Sequence, residues 1–308
     1  MLNRNSGKRD FTAGGRLTSP AGRIHFPGEL LLRSAALFSA LIIFALFGFL
    51  AYFSLPLFIE GRLGELFSLH WRPFQGQFGI LPMIVGTLLL ALSALALAYP
   101  LGLGICLFIH GLGPALLARP LLLLVQGMTG IPTVVYGFVS VFLLVPLLRN
   151  LFAHGSGFSL LAALLTLALL ILPTIVLLIH SQLGQVVPAL RLTATALGIA
   201  RERELLYISL PASSYGLLAA AILGFGRAVG DTLIALMVAG NAARIPDSAF
   251  DSIRTLTAHI ALVVSTDSQS TTYQSLFAGG LILFLTTAAI NLLLHRIKSR
   301  ACPSGDGS

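Results

Sequence analysis

The sequence is poor in charge. Of 308 residues, 10% are Asp, Glu, Lys or Arg, while 56% are hydrophobic and the mean hydropathy is +0.93. A soluble domain carries roughly 25% charged residues. There is too little charge here to cover a water-facing surface. That excludes a soluble enzyme, a coiled coil and a disordered chain. Cysteine is nearly absent: Cys106 sits in an apolar run and Cys302 in the polar tail. They form no disulfide framework, and no Cys or His pair has metal-ligand spacing. Lysine is scarce, 2 against 17 arginines. Neither lysine stands in a GxxxxGK[ST] context, so the chain has no Walker loop for ATP. No repeat of fixed period is visible.

What is abundant is long apolar sequence. A transmembrane helix needs about 20 mostly apolar residues. Six segments qualify: about Ser34–Phe58, Leu81–Ile109, Leu121–Leu148, Leu160–Ile179, Tyr215–Gly240 and Ser275–Leu294. The expectation is an all-α, polytopic protein of six spans. Pro100 and Pro132 predict kinks or breaks in the second and third. Residues 1–33 read as a basic cytoplasmic tail, 34–58 as a retained first span, 59–296 as the main transmembrane domain and 297–308 as a second tail.

Arginine sets the orientation. With the N-terminus inside, 13 Lys and Arg fall in cytoplasmic segments and 5 in outside segments, Arg227 lying within the fifth span. Both termini are therefore expected in the cytoplasm. The same count explains the +8 net charge without nucleic acid.

Arg227 and Asp231 are the ionised residues well inside a predicted span. A charge at the bilayer centre costs at least ~2.5–3.5 kcal/mol, so it faces protein or water. Four residues apart on a continuous helix, the two would share one face with Ala220, Gly224, Ala228 and Ala235. Gly226 and Gly230 add a GxxxG spacing for close helix approach. The bland reading is a structural ion pair. The sharper one is an oxyanion station, because a guanidinium fork matches tetrahedral oxyanions. Thr133 could line the path beside the Pro132 break, while Tyr136 reads as packing. His110 and His180 read as interfacial residues at span ends. The outside strip Ile253, Leu256, Ile260, Val263 and Val264 could lie over an outer gate.

The loop 180–214 is the longest cytoplasmic one. Pro188 can open a short helix and Gly198 can close it in a left-handed conformation. Gly198, then Ile208 and Leu210-Pro211, resembles the second part of the EAA signature of ABC importer permeases, although Leu192-Thr193-Ala194 replaces Glu-Ala-Ala. Gly130-Ile131-Pro132-Thr133-Val134-Val135-Tyr136-Gly137 is similar to the GIPSVVYG segment of phosphate-importer permeases. Gly226-Arg227-Ala228-Val229-Gly230-Asp231-Thr232 is similar to their GRAxGE-T segment. The resemblance, to the C-type subunit, covers roughly Phe58 to Arg296.

The resemblance implies a type I ABC importer permease fold and a transport subunit that is not itself an enzyme. It implies coupling through Leu192, Thr193, Ala194, Gly198, Ile208, Leu210 and Pro211 to a separate ATP-binding dimer, which would hold ATP and Mg; this chain would carry no cofactor. Further implied partners are an A-type permease and an extracytoplasmic phosphate-binding protein, in a bacterial or archaeal cytoplasmic membrane. Arg227, Asp231, Thr133 and Thr232 are the expected substrate-path residues. The expected cargo is inorganic phosphate. Molybdate, tungstate or sulfate is the alternative, and an ion-coupled transporter or intramembrane enzyme is a distant one.

Overall fold

The computed structural model describes residues 27–59, 67–72, 77–152, 156–264 and 271–301. Two compact units are present, 1–46 and 47–308. The first helix, α1 (Pro27–Ile59), starts seven residues before the predicted span, within the predicted tail; the rest of that tail and residues 302–308 lie outside the described residues. In the second unit, the later turns of α1 pack on a helix near the C-terminus. Phe47 meets Phe284 at 5.5 Å between ring centroids, and Phe53 stacks on Phe277 at 4.8 Å.

A two-stranded antiparallel ribbon follows, β1 (Trp71–Arg72) with β2 (Gln77–Phe78). It leads into α2 (Leu81–Leu107), which ends in a π-turn at Phe108–Leu112. Next come α3 (Ala115–Thr129), α4 (Thr133–Val139), a π-segment and α5 (Val145–Phe152). The longest helix is α6 (Leu160–Ala196), whose N-cap Ser159 accepts the Ala162 N–H. Beyond it are α7 (Arg201–Glu204), a π-segment at Leu205–Ser209, α8 (Leu210–Ala212), α9 (Ser214–Gly230), α10 (Leu233–Val238), α11 (Leu256–Val264) and α12 (Thr271–Ala301).

Among the described residues, five stretches are long and apolar enough to cross a bilayer, Leu30–Leu55, Leu81–Leu112, Thr133–Phe152, Leu160–Pro188 and Leu276–Leu293. Arg201–Ala212 with Ser214–Gly230, bent by 69°, passes the same test only as a pair, which makes six if the pair is counted as one span. Three predicted boundaries change. The third span breaks at Gly130-Ile131-Pro132, where Pro132 adopts ψ 144 and caps α4. The fourth runs on through Pro188, so no separate helix opens there. The fifth ends at Gly230, and Asp231 is extended with ψ 127.

The core is built around α6. Ile171, Ile175, Ile179 and Leu183, spaced by four, form one fully buried stripe. Small residues on α2 face it: Ala91, Ala94, Ala98 and Gly102 are all buried. A Cβ on Gly102 would lie 3.0 Å from Ile175 Cγ2, and one on Gly224 of α9 would lie 2.9 Å from Ile175 Cγ1. Ile175 is thus seated between two glycines. In lipid, where apolar burial drives little, such close backbone approach supplies the packing energy.

Candidate functional site

A cavity of about 600 Å³ opens among α3, α6, α9 and α12. Its polar wall is Thr129, Thr174, Arg227, Thr287 and Asn291; Leu177, Leu178, Ile222, Leu223, Gly226 and Ile290 complete it. Arg227 stands in the last turn of α9, and its side chain is exposed. Thr129 and Thr287 bond back to the carbonyls of Gln126 and Leu283 at 2.7 and 2.9 Å. Each hydroxyl still has lone pairs for a solute.

The expected Arg227–Asp231 pair is not formed. The i to i+4 argument required a continuous helix, and α9 stops between them. Asp231 turns to the next helix, where its Oδ2 accepts the Ile234 N–H at 2.9 Å. Its own carbonyl accepts from Thr257 Oγ1 at 3.0 Å. The small-residue face also differs from expectation. Ala220, Gly224 and Ala228 are buried together with Val229, whereas Arg227 lies on the cavity side with Leu223 and Gly226. Gly230 has open space around its Cβ position, whereas a Cβ on Gly226 would lie 3.3 Å from Ile290 Cγ2 and one on Gly224 would lie 2.9 Å from Ile175 Cγ1.

Of the expected path residues, Arg227 alone is among the cavity's described walls. Thr232 caps α10 and Thr133 begins α4. Tyr136 is buried and its hydroxyl donates to Met128 O at 3.0 Å, across the Pro132 break. Thr129, Thr174, Thr287 and Asn291 escaped the sequence reading. A signal was available: each is a polar residue in or beside an apolar helix.

The segment that follows Pro188 is a second candidate surface. Gly198 has φ +69. The Ile199 N–H reaches Ala194 O at 2.9 Å and the Gly198 N–H reaches Thr195 O at 3.1 Å, a Schellman closure of α6. Leu192 is 79% exposed, and Leu197 and Tyr207 are also exposed. Thr193 is exposed, whereas Ala194 is buried. Ile208 sits in the π-segment and Leu210-Pro211 open α8. A cavity of about 550 Å³ lies along Val187, Pro188, Arg191, Leu192, Thr195 and Ala196.

The outer strip is largely packed. Ile253, Leu256 and Val263 are buried, and α11 rests on α12 and α2. His259 is fully buried against Trp71, ring centroids 4.3 Å apart, and neither ring nitrogen has a hydrogen-bond partner among the described residues. Burial, with Arg254 nearby, pushes its pKa down to about 3. Burial also lowers the pKa of Arg254, whose Nε donates to Asn241 O at 2.8 Å.

Residues 103–301 match the family described as binding-protein-dependent transport system inner membrane component. The chain belongs to that family. It is 31% identical to a probable ABC transporter permease protein, YqgH, of Bacillus subtilis, covering 89% of this chain and 90% of that one. It is 32% identical to the phosphate transport system permease protein PstC of Mesorhizobium japonicum, over 76% and 79% of the two chains. The PstC of Pasteurella multocida is 29% identical over 88% and 93%. Among solved structures, a chain of the MetNI methionine ABC transporter matches with TM-score 0.56 at 16% identity, over 74% of this chain and 99% of that one. An amino acid ABC transporter chain matches with TM-score 0.54 at 16% identity, over 72% and 93%. The fold is that of a type I ABC importer permease, and the protein is a multi-pass membrane transport subunit.

Proposed function

We propose that this chain is the C-type permease subunit of an ATP-driven importer of inorganic phosphate. The observation that carries the reading is Arg227: a guanidinium with no ion-pair partner among the described residues, presented to a cavity with Thr and Asn walls. Its fork suits two oxygens of a tetrahedral oxyanion. The neutral hydroxyls and amide add contacts without a second fixed charge, which keeps binding weak enough for release. Several relatives carry the name phosphate transport system permease.

An A-type permease would complete the path. A separate ATPase dimer, holding ATP and Mg, would take the 188–211 segment, whose exposed Leu192, Leu197 and Tyr207 suit a protein groove. An extracytoplasmic phosphate-binding protein would deliver cargo on the opposite side. The arginine distribution supports both termini facing the cytoplasm, and the family supports a bacterial or archaeal cytoplasmic membrane. Asp231 acts at the α9–α10 break rather than as a partner of Arg227.

The test is Arg227→Ala. Asp231 keeps its bond from the Ile234 N–H in this variant. Membrane abundance and complex assembly should hold. Labelled phosphate uptake should fall roughly 10- to 100-fold, the size of one or two lost hydrogen bonds to a charged group. Arg227→Lys keeps charge but loses the fork, and partial uptake is expected. Normal uptake by Arg227→Ala removes the oxyanion station. Competition by sulfate, molybdate or tungstate against phosphate tests the cargo.

A further inference from the structure

A second basic cavity, of about 340 Å³, opens between two segments far apart in the chain. His70, Trp71 and Arg72, at and just before β1, form one wall; Arg244 and Ile245, in the loop after α10, form the other. Two guanidinium groups and an imidazole thus line a single space, and no carboxylate is among its described walls. Those walls share no residue with the walls of the Arg227 cavity.

Both sides are held from behind. β1 pairs with β2 in the register Trp71 to Phe78 and Arg72 to Gln77, and the Gly79 N–H donates to His70 O at 3.1 Å. Trp71 is half-buried on the fully buried His259. The Arg244 backbone N–H closes a turn on Ala242 O at 2.9 Å, and its Nη2 donates to Asp251 Oδ1 at 3.1 Å. Asp251 Oδ2 accepts the Asp247 and Ser248 N–H groups at 2.9 and 3.0 Å. Asp251 therefore orients the Arg244 fork, takes a single N–H from it, and shares its own charge among several donors. Helix α11 joins this pocket to the break that follows Arg227. His259 packs on Trp71, and two residues earlier Thr257 Oγ1 donates to Asp231 O at 3.0 Å.

We infer that this pocket is an outer receiving site for inorganic phosphate, separate from the Arg227 cavity. This rests on the reading that segments 59–80 and 241–274 face outward and that the cargo is phosphate. A guanidinium fork matches two oxygens of a tetrahedral oxyanion, and here two forks approach from different segments. His70 supplies a ring N–H in either tautomer. The volume of about 340 Å³ holds about ten waters at ~30 Å³ each, so the ion enters with part of its hydration shell. Such a site raises the local concentration of the anion without trapping it.

Trp71 is the sole tryptophan of the chain, so its fluorescence reports on the pocket. The full chain, purified in detergent, is titrated with inorganic phosphate at constant ionic strength, with chloride making up the balance. Iodide and acrylamide serve as anionic and neutral quenchers. Saturating phosphate should lower iodide quenching roughly twofold or more, and acrylamide quenching by less. The double variant Arg72→Gln with Arg244→Gln should show the low iodide value from the start and no response to phosphate. The double variant Arg72→Lys with Arg244→Lys keeps both charges. Its iodide quenching should match the parent, while the phosphate needed for half the effect rises roughly threefold or more. Arg227→Ala should keep the full Trp71 response. If its uptake is also normal, the oxyanion station falls and the outer site stands. A parent that does not respond to phosphate, a response that survives in the glutamine pair, or one that vanishes in Arg227→Ala each overturns the outer site. So does a Trp71 response to an extracytoplasmic binding protein but not to phosphate, which would make the occupant a protein carboxylate.

Discussion

Helices α2 and α6 run without interruption past Pro100, Pro173 and Pro188, whereas the paths α3–α4 and α9–α10 break at Pro132 and at Asp231. The difference is not the presence of proline, since the second break has none. It lies in what meets the freed backbone groups. At Pro132, the Tyr136 hydroxyl covers Met128 O. At Asp231, the carboxylate covers the Ile234 N–H and Thr257 covers the Asp231 carbonyl. Around the unbroken α6, glycines let α2 and α9 close on Ile175 instead. Unbroken helices make the packed core. Thr129 ends the first helix of one broken path and Arg227 lies in the last turn before the other break, and both line the cavity.

The largest test is on the packing against the unbroken α6. Gly224→Val, on α9, puts branched carbons where a Cβ alone meets Ile175 at 2.9 Å. Overpacking of this kind costs about 1–3 kcal/mol or more. Thermal unfolding of the detergent-solubilised complex should show a lower midpoint and reduced assembly. An unchanged midpoint would mean that Ile175 is not held between two glycines.

His259 probes the rule from the other direction, as a buried polar group whose ring nitrogens have no hydrogen-bond partner among the described residues. Its folded pKa, about 3, lies below the ordinary value of 6.5. Below pH 6.5 the unfolded chain binds the extra proton and the folded one does not, so stability falls as pH falls from 6.5 towards 3. The loss is about 2 kcal/mol near pH ~5. His259→Phe keeps the aromatic contact with Trp71 and removes the titration. Its midpoint should be less acid-sensitive over this range, and equal sensitivity would place the effect elsewhere.

At Asp231 the two possible roles separate cleanly. Asp231→Asn keeps an acceptor for the Ile234 N–H and should assemble as the parent does. Asp231→Ala loses it, at about 1 kcal/mol by analogy with helix caps. Hydrogen exchange at the start of α10 should quicken in the Ala variant alone. Equal exchange in both would show that the carboxylate does not hold the break.

Much of the fold is legible in the sequence because apolar length is a local property. The spans, the Gly198 closure and the Pro132 break each depend on a few adjacent residues. The Asp231 break was hidden because Gly230-Asp231-Thr232 interrupts an otherwise apolar run, and periodicity presumes the continuity it is used to infer. Pro188 misled for a related reason: proline favours a first turn, yet a long helix in a packed bundle also tolerates it. The cavity was the least legible feature. Thr174, Arg227 and Thr287 come from three helices, and which of them meet is fixed by packing around Ile175.

Tyr136→Phe and Pro100→Ala give the smallest effects, and as a pair they test the comparison directly. Tyr136→Phe preserves the buried ring and removes the hydroxyl from Met128 O, so a carbonyl at the break loses its shorter hydrogen bond and keeps the one from the Ile131 N–H at 3.3 Å. The expected cost is about 1 kcal/mol. Pro100→Ala acts inside an unbroken helix: it restores an N–H one turn from the carbonyl of Ala96 and removes the ring. The expected change is below ~1 kcal/mol and of either sign, because the folded helix already accommodates the proline. Midpoints measured on both variants in one detergent supply the comparison. A larger loss from Pro100→Ala than from Tyr136→Phe would mean that proline itself shapes α2, and that satisfaction of freed groups does not separate broken from unbroken spans.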